Sequence, residues 1–177
     1  MRQPITATRV EEFMNALGSG VSSPARVFLV GGATAVLLGW RDSTIDIDLK
    51  VVPERDELLR QFSVLKERLE LNIELASPGD FIPEVPGWEE RSQFVRQVGR
   101  LTFLHYDFYA QALAKIERSH DSDQRDVQEM IKRNLVDPNR LLEVFSRIEG
   151  DIHRYPALDA PSFRRAVELV VHQSGKA

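Results

Sequence analysis

Apolar and polar residues alternate over Thr44–Val52 (TIDIDLKVV): Ile45, Ile47 and Leu49 face one way, and Thr44, Asp46, Asp48 and Lys50 the other. A period of two is that of a strand with one buried face. Leu71–Ala76 (LNIELA) repeats the pattern, with Leu71, Ile73 and Leu75 inward and Asn72 and Glu74 on the opposite face, until Ser77-Pro78-Gly79 stops it. Between the two, Pro53 is expected to open a helix whose apolar stripe is Leu58, Phe62, Leu65 and Leu69. Upstream, Thr8–Leu17 reads as an amphipathic helix ended by the loop from Gly18 to Ser23. Arg26–Val30 (RVFLV) reads as a buried strand, and Gly31-Gly32 turns it into a small-residue helix over Ala33–Leu38.

Pro83–Gln93 has the composition of a loop, and Phe94–Val98 with Leu101–His105 forms a hairpin about Gly99-Arg100. Helical periodicity takes over after Tyr106. Tyr109, Leu113 and Ile116 share one face, and Val127, Met130 and Ile131 define a second helix. Asp137-Pro138 caps a third with Leu141, Phe145 and Ile148, and Pro161 opens a last with Phe163, Val167, Val170 and Val171. The expected fold is α+β: a small mixed sheet with helices over residues 1–106, and a helical region over 107–177 docked on it.

Composition narrows the chemistry by exclusion. The chain has 177 residues, 42% hydrophobic and 28% charged, ordinary for a globular domain. It has no cysteine, so disulfides and thiolate zinc sites are absent. Its histidines (His105, His120, His153 and His172) show no metal-ligand spacing. The net charge of −4 gives no general attraction to nucleic acid or anionic lipid, although a local basic face can still bind RNA. No apolar run reaches the roughly 18 residues of a membrane helix, and the first residues lack a signal-peptide core, so a cytoplasmic protein is expected.

Against that background the acids of the first alternating strand stand out. An isolated ionised carboxylate is costly to desolvate unless paired or bound to metal. Asp46 and Asp48 leave the same face with Cα atoms roughly 6.6 Å apart, so both can reach one hard cation. Mg²⁺ favours carboxylate oxygen, keeps several waters and is completed by substrate phosphates. A third acid on a neighbouring strand finishes such a site, and Glu74 is the only acid in LNIELA. Ser43 and Thr44 lie close enough in sequence to bind a phosphate or brace the acids. The Gly31-Gly32 pair brings backbone N–H groups near an anion, or simply makes a tight turn. No Gly-Lys-Ser/Thr follows it, so it is not a P-loop.

Gly31-Gly32, a gap of thirteen residues, then Asp46-Ile47-Asp48 resembles the signature of the DNA polymerase β-like nucleotidyltransferase superfamily. The resemblance implies that the glycine turn holds a nucleoside triphosphate and that the two strand acids bind catalytic Mg²⁺, or Mn²⁺ in its place. Glu74 is then the candidate third acid. Gly-Gly departs from the superfamily's common Gly-Ser, removing a hydroxyl that touches phosphate; Thr34 or Ser43 is a candidate replacement. Tyr106–Lys115 (YDFYAQALAK), Arg118 and Asp123-Gln124-Arg125-Asp126 are similar to a minimal bacterial branch that includes abortive-infection and toxin–antitoxin proteins. That likeness implies that Lys115 faces the triphosphate and that Arg118 and Asp126 brace the pocket.

The function these readings imply is Mg²⁺-dependent transfer of a nucleoside monophosphate from a triphosphate to an RNA 3′ end, a protein hydroxyl or a small molecule. Catalysis falls to Asp46, Asp48, Glu74 and Lys115. An RNA acceptor such as tRNA calls for a basic patch, for which Arg91, Arg96, Arg100, Arg118 and Arg125 are scattered candidates. The toxin-like resemblance adds an antitoxin-type protein partner. The alternative is a non-catalytic binding or regulatory protein on the same scaffold. Plainer readings stand beside each assignment: the aspartates as a solvated strand face, Lys115 as a solvated lysine, and Arg118, Asp123 and Asp126 as surface ion pairs.

Overall fold

The computed structural model describes residues 3–176. In chain order its elements are α1 (Ala7–Gly20), β1 (Ala25–Val30), α2 (Gly32–Leu38), β2 (Ile47–Val52), α3 (Asp56–Arg68), β3 (Ile73–Leu75), α4 (Trp88–Arg91), β4 (Gln93–Val98), β5 (Leu101–His105), α5 (Phe108–Arg118), α6 (Asp121–Lys132), α7 (Pro138–Ile148) and α8 (Ala160–Ser174), with 3₁₀ turns at Pro78–Asp80 and Glu149–Arg154. The fold is α+β. Among the described residues no helix is long and apolar enough to cross a membrane. The chain forms two compact units: the part up to Ser77 together with Ser92–Tyr106, and Pro78–Arg91 together with the part from Asp107 onward.

The first unit is built on a mixed five-stranded sheet of order β3-β2-β1-β5-β4. β1 is central, antiparallel to β2 and parallel to β5, while β2 runs parallel to β3 and β4 antiparallel to β5. Alternation decides which face is dry. Val27 and Leu29 of β1, Ile47, Leu49 and Val51 of β2, Ile73 of β3, and Leu101 and Phe103 of β5 form one core with Val10, Phe13, Met14 and Leu17 of α1 and Leu58, Phe62 and Leu65 of α3. The rings of Phe13 and Phe62 stack at 6.5 Å across α1 and α3. Burial at roughly 25 cal/mol per Å² of apolar surface makes this layer the main source of the unit's stability. Asp48, Lys50 and Glu74 project from the opposite face.

Several local expectations are corrected. α1 continues through Gly18 to Gly20, and Gly18 is needed for space instead of for a turn: it lies so close to the β4–β5 hairpin that a Cβ there would meet Val98. β2 begins at Ile47 instead of Thr44. Thr44 is tied to Ile5 by an isolated antiparallel bridge, Ile5 N–H to Thr44 O at 2.8 Å and Thr44 N–H to Ile5 O at 2.9 Å. That bridge takes residues 44–46 out of the β1 ladder, and Ile45 is 82% exposed where the alternation placed it inward. Leu75 is likewise half-exposed, since β3 is a three-residue edge strand. Pro53 precedes α3 without opening it; the helix starts at Asp56. The 83–93 stretch holds the single turn α4, which buries Trp88.

In the second unit, α5 is buried over nearly its whole length, from Phe108 to Ile116. Its amino end is fixed by the buried Asp107, which accepts from the N–H groups of Tyr109 (3.2 Å) and Ala110 (3.3 Å). Arg91 of α4 adds a bidentate pair to the same carboxylate at 3.1 and 2.6 Å. Asp137 caps α7 through Asn139 N–H at 2.9 Å, and Asp159 caps α8 through Ser162 N–H at 3.0 Å, each beside the proline that marked the helix start. Phe145 and Phe163 meet edge to face at 4.8 Å and join α7 to α8.

Candidate functional site

The candidate site lies on the face of the sheet that α1 and α3 do not cover. β2 and β3 run parallel with Ile47 opposite Ile73, Asp48 opposite Glu74 and Leu49 opposite Leu75. Directly opposed residues share a face with Cβ atoms about 5 Å apart. The parallel pairing therefore sets Glu74 beside Asp48. Asp46 stands one residue before β2, and its Oδ1 accepts a hydrogen bond from Nδ2 of Asn72. The same amide nitrogen donates to Glu74 Oε1 at 3.0 Å. One carboxamide thus bridges the first and third acids.

β1 delivers the glycine turn to the same place, because Val30 at its end pairs with Asp48. Gly31 has φ +60° and ψ −123°, a conformation that glycine adopts and side-chain-bearing residues avoid. A Cβ at Gly31 would stand 3.6 Å from Asp48 Oδ2, so the backbone turn lies against the second acid. At Gly32 the reason is space: a Cβ would come within 2.6 Å of the Thr44 Cβ and nearer still to its hydroxyl. Thr44 Oγ1 makes one long bond, to the Asp46 carbonyl at 3.3 Å. Ser43 is half-buried beside it.

Thr34 lies elsewhere. It is fully buried, its hydroxyl 3.2 Å from the Leu29 carbonyl and 3.0 Å from His105 Nδ1, and it has no exposed surface to offer a ligand. His105 itself is buried, and desolvation pushes its imidazole pKa down from 6.5 to about 4. It is therefore neutral at physiological pH.

The second unit gathers Lys115, Arg118, Asp123 and Asp126 into one cluster. Lys115 Nζ is 2.7 Å from Asp126 Oδ2 and 3.7 Å from Asp123 Oδ1. Arg118 grips Asp123 with two bonds at 2.8 and 2.6 Å, and Asp123 also accepts from His120 N–H at 3.2 Å. Both aspartates are almost entirely buried and Lys115 is 7% exposed. Burial works to raise the Asp123 carboxyl, yet the Arg118 hydrogen bonds and charge, with Lys115 and the His120 amide, outweigh it and hold the group below its ordinary value. Two cations meet two anions, so the cluster is internally neutralised. A cleft of about 560 Å³ opens beside Lys115 between α5, α6 and α8; its walls include Ile116, Val127 and Leu169 and carry no carboxylate, so it offers no rival metal site.

The family model described as a nucleotidyltransferase of unknown function (DUF6036) matches residues 7–166. The chain belongs to this nucleotidyltransferase family. No curated protein and no solved structure matches it.

For a nucleotidyltransferase of this family the usable chemistry is oxygen-based. Asp46 and Asp48 are half-exposed beside the glycine turn, Glu74 is exposed, and no cysteine or histidine stands among them. Among the described residues no three His, Asp or Glu side chains converge as a complete metal cage. Two half-exposed carboxylates are the oxygen donors that Mg²⁺ takes, while the nitrogen and sulfur ligands typical of zinc are missing from this group. The residue that sequence reasoning missed is Asn72. It reads as one more polar position on an alternating strand; its one signal is that it lies two residues before Glu74, hence on the same face.

Proposed function

We propose that this protein transfers a nucleoside monophosphate from a nucleoside triphosphate to an acceptor hydroxyl, with a divalent cation held by Asp46 and Asp48. The observation that carries the reading is the approach of Gly31 to Asp48, which brings a glycine turn and a pair of half-exposed carboxylates to one face. The family supports nucleotidyl transfer in general terms. The donor set fits Mg²⁺ or Mn²⁺, which take two carboxylates and leave the remaining positions to water and phosphate. When bound, such an ion neutralises triphosphate charge and polarises the reacting oxygens.

The chain's own residues do the rest. Gly31 and Gly32 let the triphosphate approach the backbone, and the Thr44 and Ser43 hydroxyls beside the turn donate to its oxygens. Of the two roles open to Glu74, metal ligand or proton acceptor, the proposal assigns the second. The acceptor oxygen bonds to the α-phosphorus as the bond to the β-bridging oxygen breaks; pyrophosphate leaves, and the hydroxyl proton passes to Glu74. Lys115 is held 2.7 Å from Asp126 and 3.7 Å from Asp123, and the proposal gives it no step of its own.

Arginine pairing bears on the acceptor. Arg91, Arg96 and Arg118 have carboxylate partners, leaving Arg100 and Arg125 as the unpaired members of the candidate basic set among the described residues. Exposed pairs are weak enough for a phosphate to compete with, so an RNA 3′ end, a protein hydroxyl and a small molecule all stay acceptors in the proposal. One observation favours a non-catalytic nucleotide-binding protein instead: the absence of three converging acids among the described residues. Incubation with each α-labelled nucleoside triphosphate, Mg²⁺ and cell extract separates the two. Label fixed by the wild type and not by Asp46→Asn or Asp48→Asn supports transfer; nucleotide binding without any fixed label supports the scaffold alone.

A further inference from the structure

We infer that Asn72 is a positioning residue for the cation site, fixing the Asp46 and Glu74 carboxylates so that one Asp46 oxygen faces the place the cation takes. The inference rests on the proposed reading of Asp46 and Asp48. Asn72 sits between Leu71 and Ile73, whose side chains are 1% and 2% exposed, so its backbone is anchored by the core on both sides. Its carbonyl accepts from Ile47 N–H at 2.8 Å, which ties it to the residue that follows Asp46. Its side-chain amide then donates to Asp46 Oδ1 and to Glu74 Oε1. An ionised carboxylate only accepts, so the chemistry dictates which end of the amide faces the acids.

The residue type matters as much as the place. Asp46, Asp48 and Glu74 put three negative charges on one patch, and like charges at this range repel. A lysine or arginine at position 72 would relieve the repulsion and also compete with the cation for the acids. An aspartate would add a fourth charge. A neutral group with two N–H donors satisfies two carboxylates without taking the cation's place. It occupies one oxygen of Asp46 and leaves the other for a metal.

Mn²⁺ binding followed by electron paramagnetic resonance on the full chain tests this without reference to turnover. Removing a group that orients a metal ligand typically costs about 10–100-fold in metal affinity. Asn72→Ala and the near-isosteric Asn72→Leu are expected to lose Mn²⁺ affinity within that range, with far-UV circular dichroism unchanged. Asn72→Gln, which keeps the donors, should recover part of it. If Asp48→Asn abolishes binding while Asn72→Ala and Asn72→Leu bind as tightly as wild type, Asn72 has no positioning role and the two-aspartate reading stands. If the wild type does not bind Mn²⁺, or Asp48→Asn binds equally well, the two-aspartate reading falls and this inference with it.

Discussion

Thr44 fills the space that a side chain at position 32 would need. Its Cβ lies 2.6 Å from where a Gly32 Cβ would stand, so a serine has no room at this position. The hydroxyl that a serine would bring is supplied in the proposal from Thr44, across the turn. Gly32→Ser is expected to destabilise the protein by about 1–3 kcal/mol, the usual cost of overpacking. Combining it with Thr44→Gly should return most of that loss, because the cavity and the intruding side chain then match. Urea denaturation of the two single variants and the double variant provides the comparison.

Gly31 is constrained differently. Its φ of +60° with ψ of −123° excludes side chains on backbone grounds, whatever the space. Gly31→Ala should cost about 1–3 kcal/mol through strain, and Thr44→Gly should not rescue it. Failure of that distinction in denaturation experiments would show that both glycines answer to the same contact.

Lys115 offers a test of the helical unit. Removing one partner of a buried ion pair costs about 3–5 kcal/mol, because the remaining charge stays buried and unmatched. Lys115→Met takes from the buried Asp126 the cation 2.7 Å away and is expected to lose stability toward this scale. Arg118→Met, whose side chain is 56% exposed, should lose less. Equal losses in chemical denaturation would argue that the cluster is solvated.

His105 predicts the protein's response to mild acid. Its imidazole has a pKa of about 4 in the fold against 6.5 in the unfolded chain, so between these values the unfolded state binds the extra proton. Stability is therefore full above about pH 6.5 and falls as pH drops toward 4, by about 3 kcal/mol for a shift of this size. His105→Gln should lack this component. Stability measured by urea denaturation at pH 7 and pH 4.5 should fall further in the wild type than in the variant.

Much of the sheet was legible because its cues are local. The alternation in IDLKVV and the hairpin about Gly99-Arg100 depend on neighbours in the chain, as do the Asp137-Pro138 start of α7 and the Pro161 signal of α8. Ile45 was misread because its fate depends on a distant partner: Ile5 captures the Thr44 backbone and removes the following residues from the ladder. The nearness of the glycine turn to the aspartates was legible, since both border β strands that pair. The pairing of Asn72 with Asp46 was not, because parallel register between β2 and β3 is set across α3 and leaves no mark in either strand alone. Lys115 shows the same limit. Its partners lie on the next helix, and only the packing of α5 on α6 turns a lysine at an apolar helix edge into a buried ion pair.

The most direct test of the account compares nucleoside triphosphates labelled at the α- and γ-phosphorus, with Mg²⁺, using the wild type and Asp48→Asn. The account predicts that the wild type fixes α-label in the acceptor and releases γ-label as pyrophosphate, and that Asp48→Asn does neither. Transfer of γ-label, or α-label transfer that survives in Asp48→Asn, would contradict it.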